Sequence, residues 1–328
     1  MTKILCVGDI HVMDRPPVNA SESYTDDIIG MLTWIADHAA LNKISTVVWA
    51  GDIFHHKQPS KTSHALVLKM LEVVKHHQNL GLELLIVTGN HDISNDVLAS
   101  VHEKQPLGVL YAAGARELAG WHETLPLYGV PWQRDWTTDA RTPWDAFEAW
   151  RGAQGRSEGI AALAVTHAPI YPPGEAEKQL FELVPTKGEH GLSSAMGNSG
   201  FLYYGHIHED HGIYEVEGVT YANMGAISRG SLTEYNIARS IKVALWTPQD
   251  GFSEVPVPHK PASEVLRIAE VAEVKDEKLS LDKFLAEVGS SVLDVSTTAS
   301  VISHIRERQD IEAHIKKRAV EILEEVAP

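Results

Sequence analysis

The sequence predicts an α/β protein built as a four-layer α-β-β-α sandwich, two helix-flanked sheets packed face to face, followed by a small C-terminal α/β cap. Three observations predict it. Short β-branched apolar runs alternate with amphipathic helical segments up to residue 88. Strand patterns then continue to about residue 246 while helices become scarce. Finally, Pro256, Pro258 and Pro261 precede a charged tail with helical periodicity.

Residues 3–8, 44–50 and 83–88 are apolar runs that each stop at a glycine-containing segment, and they read as buried strands. Between them, 25–41 places Ile28, Met31, Leu32, Ile35 and Ala39 on one helical face, and 61–78 does the same with Leu66, Met70, Val73 and Val74. The order is β-α-β-α-β. In such sheets ligands gather beyond the carboxyl ends of the strands, where Asp9, Asp52 and Asn90 fall. A second strand series is expected around 124–130, 160–166, 200–204, 211–216, 219–223 and 240–246, with Glu217-Gly218 as a tight hairpin turn. A boundary near 260 divides a main domain, 1–260, from a capping or partner-docking module, 261–328, with helical patterns at 280–288, 297–308 and 310–326.

Composition narrows the function classes. The 328 residues are 44% hydrophobic, and no apolar run reaches the roughly 18 residues of a membrane span. The chain runs straight into its first strand, so a cleaved signal is not expected and no membrane partner is implied. Cys6 is the only cysteine, set mid-strand, which excludes an internal disulfide and fits a cytoplasmic home. The net charge of −16 disfavours nonspecific attraction to phosphate backbones. Two bound divalent ions would return about four positive charges to one cleft, so the local potential can oppose the global one.

Ligand-type residues cluster at the strand ends: Asp9-Ile10-His11, Gly51-Asp52, Gly89-Asn90-His91-Asp92, Thr166-His167, and Gly205-His206 followed by His208. Asp9 and His11 alternate along an extended segment and can face one ion, as can His206 and His208. Asp52 has two oxygens to share between two metals, although a turn or helix-capping Asp is the bland alternative. Any single histidine among the 18 is more simply a surface or core residue. The joint pattern is another matter. Two cations roughly 3.5–4 Å apart need about three ligands each and a bridging carboxylate, and Asp9, His11, Asp52, Asn90, His167, His206 and His208 supply that inventory in order.

This series resembles the calcineurin-like metallophosphoesterase superfamily. More narrowly, Gly51-Asp52-Ile53-Phe54-His55 through Lys57, Pro59, Ser60 and Lys61 resembles the second motif of the Mre11/SbcD DNA-repair nucleases. The resemblance implies that Asp9, His11, Asp52 and His208 hold one metal and that Asp52, Asn90, His167 and His206 hold the other. Manganese is the expected ion, with magnesium, iron or zinc as alternatives. His91 would protonate the leaving oxygen, with Asp92 orienting it and His55 as a further active-site histidine, while water activated by the cations attacks phosphorus.

DNA is the substrate the resemblance implies, cut as an exo- or endonuclease, and Lys57, Lys61 and Arg229 are the candidate phosphate contacts. A cyclic-nucleotide or other small phosphodiester is the alternative; a phosphoprotein phosphatase or a non-catalytic scaffold ranks lower. The family's Pro-Gly-Ser segment is replaced by Asn223-Met224-Gly225-Ala226-Ile227-Ser228-Arg229, where Arg229 could equally salt-bridge. Helices 25–41 and 61–78 carry Met31, Trp34, Leu66 and Met70, which could furnish the patch of a homodimer. A Rad50/SbcC-like ATPase is the other expected partner, with 310–326 as its candidate docking helix.

Overall fold

A computed structural model describes residues 2–14, 20–93, 100–133, 144, 161–174, 183–188, 191–230, 233–268, 317 and 320. Two compact units emerge, Met1–Leu266 and Arg267–Pro328. The helical patterns expected at 280–288, 297–308 and 310–326 lie outside the described residues, apart from residues 317 and 320.

The first unit is a two-sheet α/β sandwich. In one sheet, β1 (Ile4–Val7), β2 (Thr46–Trp49), β3 (Glu83–Ile86) and β4 (Arg116–Glu117) run parallel in sequence order. The other holds β5 (Gly120–Trp121), β6 (Leu127–Val130), β7 (Leu163–His167), β8 (Gly200–Gly205), β9 (Asp210–Val216) and β10 (Val219–Met224), in the order β5-β6-β7-β8-β10-β9. Its four central strands are parallel and the two edge strands antiparallel. Glu217 and Gly218 turn the β9–β10 hairpin with φ of 48° and 81°, the left-handed pair that matches strand twist.

One expected strand belongs elsewhere. The run at 240–246 becomes β11 (Lys242–Thr247), which returns to the first sheet, antiparallel to β1, and continues into β12 (Gly251–Pro256) at the edge. Ala244 and Trp246 explain the return, because both lie in the apolar layer between the sheets with Ile4, Cys6, Val48 and Leu85 from one side and Leu163, Val165 and Tyr203 from the other. Cys6 is fully buried there, and burial pushes its thiol pKa up. The second sheet's opposite face carries its own core, in which Ala164, Leu202, Tyr204 and Tyr221 meet Leu192, Ala195 and Met196.

Helices α1 (Tyr24–Leu41) and α2 (His64–Asn79) cover the first sheet's outer face. Their buried residues include Met31, Leu66 and Met70, so three of the four residues expected to offer a dimer patch are spent inside the unit. Trp34 is partly exposed and stacks on His38, with ring centroids 4.7 Å apart. None of the described helices is long and apolar enough to cross a membrane.

Of the two roles expected for Arg229, the structure shows the salt bridge. The residue is 3% exposed, and its Nη2 donates to Asp27 Oδ2 on α1 at 3.3 Å and to the Lys260 carbonyl at 2.6 Å, while Lys260 N donates to Asp27 Oδ1 at 2.9 Å. The guanidinium ties two later segments to α1 instead of meeting phosphate. Breaking a buried pair strands its partner charge, so Arg229→Leu should cost about 3–5 kcal/mol in urea unfolding. An unchanged unfolding midpoint with weakened phosphate binding would return Arg229 to the substrate.

Candidate metal centre

The carboxyl ends of both sheets deliver the ligand-type residues to one place. Asp9 and His11 follow β1, Asp52 follows β2, Asn90 and His91 follow β3, His167 ends β7, and His206 and His208 follow β8. Three of them, His11, Asp52 and His206, have positive φ values of 49°, 49° and 82°. Non-glycine residues rarely adopt that region, and such strain concentrates where side chains must be aimed.

Two groups of donor atoms form. In the first, His11 Nε2 lies 2.9 Å from His208 Nε2, and Asp9 Oδ2 lies 3.8 and 3.3 Å from those nitrogens. In the second, Asn90 Oδ1, His167 Nε2 and His206 Nδ1 form a triangle of 2.9, 3.0 and 3.3 Å. Asp52 joins them: its Oδ2 is 3.4 Å from His11 Nε2 and its Oδ1 is 3.4 Å from His167 Nε2.

These spacings and donors fit a pair of cations. Ligands about 2.1 Å from a shared ion stand roughly 3 Å apart along the edge of its coordination shell, as the ring nitrogens do here. Imidazole, carboxylate and amide oxygen together suit borderline divalent metals. Asp9 and Asp52 are 1% and 2% exposed, and among the described residues neither pairs with a lysine or arginine. Buried carboxylates without such a partner call for positive charge from elsewhere.

Backbone groups set the histidine tautomers. The Ala50 carbonyl, at the end of β2, lies 2.8 Å from His167 Nδ1 and leaves Nε2 to face the site. Likewise the His55 carbonyl accepts a hydrogen bond from His91 Nδ1, and His91 N donates to Asp52 Oδ1 at 2.7 Å. Gly205 is required sterically, because a Cβ there would stand 2.4 Å from the Ala50 oxygen and 2.5 Å from Asp9 Oδ1. Gly89 is similarly pressed against Asp52.

Asp92 departs from expectation. Its Oδ1 accepts from Ile53 N and its Oδ2 from Gly89 N, both at 3.0 Å, so it braces the loops around Asp52 while a backbone carbonyl orients His91. Burial, helped by the Asp52 charge, pushes its pKa up to about 7. His55 stands beside the centre with its ring 5.4 Å from that of His11 and 5.6 Å from that of His91, and burial lowers its pKa to about 4. Lys57 and Lys61 are exposed; Lys61 lines a polar hollow with Asp14, His56, Ser60 and Ser63, away from the donor atoms.

Two contributors escaped the sequence reading. Trp132 stacks on His206 at 4.8 Å, and only its place just after β6, at another strand's carboxyl end, could have signalled it. Asn223 donates to the carbonyls of Tyr204 and Ile207 at 3.0 and 3.1 Å, pinning the loop that carries His206 and His208. The same segment sends Ala226 N to the His208 carbonyl and Ile227 N to the Asp9 carbonyl.

Charge state links the site to pH. Burial holds His11 at about 3 and His206 at about 4, so both are neutral at pH 7 without a cation. Burial also disfavours charge on His167, but the Asp52 and Asp9 carboxylates outweigh it and raise the pKa to about 9. With both ring nitrogens donating, to Asn90 and Ala50, that ring is an imidazolium until a cation displaces its Nε2 proton. Metal binding at pH 7.5 should therefore release protons, with affinity climbing as pH rises toward 9 and flattening above it. Calorimetry in buffers of different ionisation enthalpy reads this directly, and a buffer-independent heat would contradict it. Gly205→Ala should lower metal affinity at least about tenfold by displacing Asp9, which equilibrium dialysis would show.

A comparison with curated proteins gives no match. The model of one family, calcineurin-like phosphoesterase, matches residues 2–210 and spans Asp9, His11, Asp52, Asn90, His167, His206 and His208. With that match over more than half its length, the chain belongs to the calcineurin-like phosphoesterases, metal-dependent hydrolases of phosphoric esters.

Proposed function

We propose that the protein is a dinuclear-metal phosphodiesterase of the Mre11/SbcD-like kind, acting on DNA. The observation that carries the dinuclear part is Asp52, whose two oxygens each stand 3.4 Å from a different group of donors. Asp9, His11 and His208 would hold one cation, Asn90, His167 and His206 the other, with Asp52 shared between them. Manganese is the ion the family resemblance implies, and the mixed nitrogen and oxygen donors would also accept iron or zinc. When bound, the two ions supply Lewis acidity to the phosphoryl group and lower the pKa of an attacking water.

The chain's own residues supply the rest. His91 is oriented by the His55 carbonyl through Nδ1, which leaves Nε2 as the atom that hands a proton to the departing alkoxide. The ring of His55 stands on that side, 5.6 Å from that of His91. DNA as substrate rests on the motif running from Gly51 to Lys61. Lys57 and Lys61 lie exposed on that stretch, where they can meet flanking phosphates.

The small-phosphodiester alternative draws support from the net charge of −16, which opposes a polyanion everywhere except at the cations. Assaying manganese-loaded protein on linear duplex DNA, single-stranded DNA and cyclic nucleotides side by side separates the two readings. DNA cleavage should dominate, and rapid cyclic-nucleotide hydrolysis without DNA cutting would reverse the choice.

Two variants test the roles. Asp52→Asn should abolish hydrolysis and weaken occupancy of both metal positions; near-normal turnover with two tightly bound ions would overturn the bridging role. His91→Ala should slow turnover by roughly 10²–10⁴ with metal content nearly intact. Loss of metal instead would make His91 a ligand.

A further inference from the structure

Among the ring donors of the first group, His208 is the one that packing holds least. Its side chain is 56% exposed, whereas that of His11 is 4% exposed. An exposed imidazole has several rotamers open to it, so the place of its Nε2 depends on how firmly the backbone beneath it is fixed. Upstream, His206 N donates to both Asp9 oxygens, at 2.9 and 3.1 Å, and the Ile207 carbonyl is held by Asn223. The His208 carbonyl accepts from Ala226 N, and Gly225 stands so close that a Cβ there would lie 2.7 Å from that oxygen.

Two residues downstream, Asp210 closes the loop at the start of β9, and three of its groups are engaged. Its N–H donates to the hydroxyl of Tyr235, which belongs to the short helix Glu234–Ala238. Its Oδ1 accepts from Gly212 N at 2.9 Å, which sets the direction of the carboxylate. Its Oδ2 lies 2.7 Å from Nζ of Lys242, the first residue of β11 in the other sheet. The same ammonium reaches Glu254 Oε2 on β12 at 3.0 Å. Because β11 lies beside β1, Lys242 ties the far end of the His208 loop to the sheet that carries Asp9 and His11. Ion pairs that keep contact with water add little to folding stability, so what this tie can supply is position.

We propose that Lys242 and Tyr235, gripping Asp210 from two sides, are positioning residues that hold His208 where it can share the first cation with Asp9 and His11. The inference rests on the two-cation reading and assigns the groups that complete one of its two positions. Outer partners of metal ligands commonly change affinity by about 10–100-fold when removed.

Equilibrium dialysis of the full chain against manganese, read together with electron paramagnetic resonance, tests this. The native chain should take up two ions. Lys242→Met should weaken one of them about tenfold and leave the other within about twofold, so that at intermediate manganese the chain holds a single ion with an isolated six-line signal. Tyr235→Phe, which removes one oxygen atom, should act in the same direction, and Lys242→Arg, which keeps the charge, should bind manganese nearly as the native chain does. Glu254→Gln breaks the other half of the lysine's pairing and should leave both ions in place. In a His208→Ala background, which lacks the ligand being positioned, Lys242→Met should cause no further loss. Equal weakening of both ions, or a further loss in that background, would overturn the positioning role, as would native manganese binding in both Lys242→Met and Tyr235→Phe. A native chain that takes up fewer than two ions would instead overturn the two-cation reading, and this inference with it.

Discussion

Two buried carboxylates, Asp9 and Asp52, set the terms for the rest of the site. They end adjacent parallel strands, so the register of β1 against β2 brings like charges together at one sheet edge. Water cannot solvate them at 1% and 2% exposure, and among the described residues histidines surround them in place of lysine or arginine. The protonation pattern follows from that confinement. His167, between both carboxylates, holds a proton, while His11 and His206 are driven neutral by burial. Divalent cations resolve the same imbalance with more charge per unit volume than imidazolium can offer.

Aiming seven donors at two points requires more than side chains. The Ala50 and His55 carbonyls choose which ring nitrogen of His167 and His91 faces inward, and Asp92 holds the β2 and β3 loops through backbone N–H groups. From the second sheet, Asn223 and the Ala226 and Ile227 amides clamp the His206–His208 loop to the Asp9 segment. The positive φ values of His11, Asp52 and His206 are the local cost of this aim, offset by the apolar layer beneath, where Val48, Leu85, Val165 and Tyr203 fix the strands. Trp132, stacked on His206, borders the second group of donors.

Much of this was legible in the residue string because strand ends carry strong signatures. Asp9, Asp52, Asn90 and His167 follow or end apolar runs whose periodicity leaves little choice of structure, and the loop Gly205 to His208 reads the same way. What stayed hidden depended on partners distant in sequence. Asp92 looked like a partner for His91, but the group that orients His91 is a main-chain carbonyl, which has no sequence signature. Arg229 looked available to phosphate because nothing in the sequence announces that Asp27, 202 residues away, is buried opposite it. Similarly, the run at 240–246 shows apolar strand character without revealing which sheet it joins; only packing against β1 decides that.

The central claim is that one carboxylate joins two metal positions, and electron paramagnetic resonance of the protein loaded with two equivalents of manganese tests it most directly. Ions about 3.5–4 Å apart and linked through Asp52 are magnetically coupled. The account predicts a broad, temperature-dependent spectrum of a coupled pair in the native protein, collapsing to separate six-line signals in Asp52→Ala. Two manganese ions bound to the native protein with independent six-line signals would contradict it.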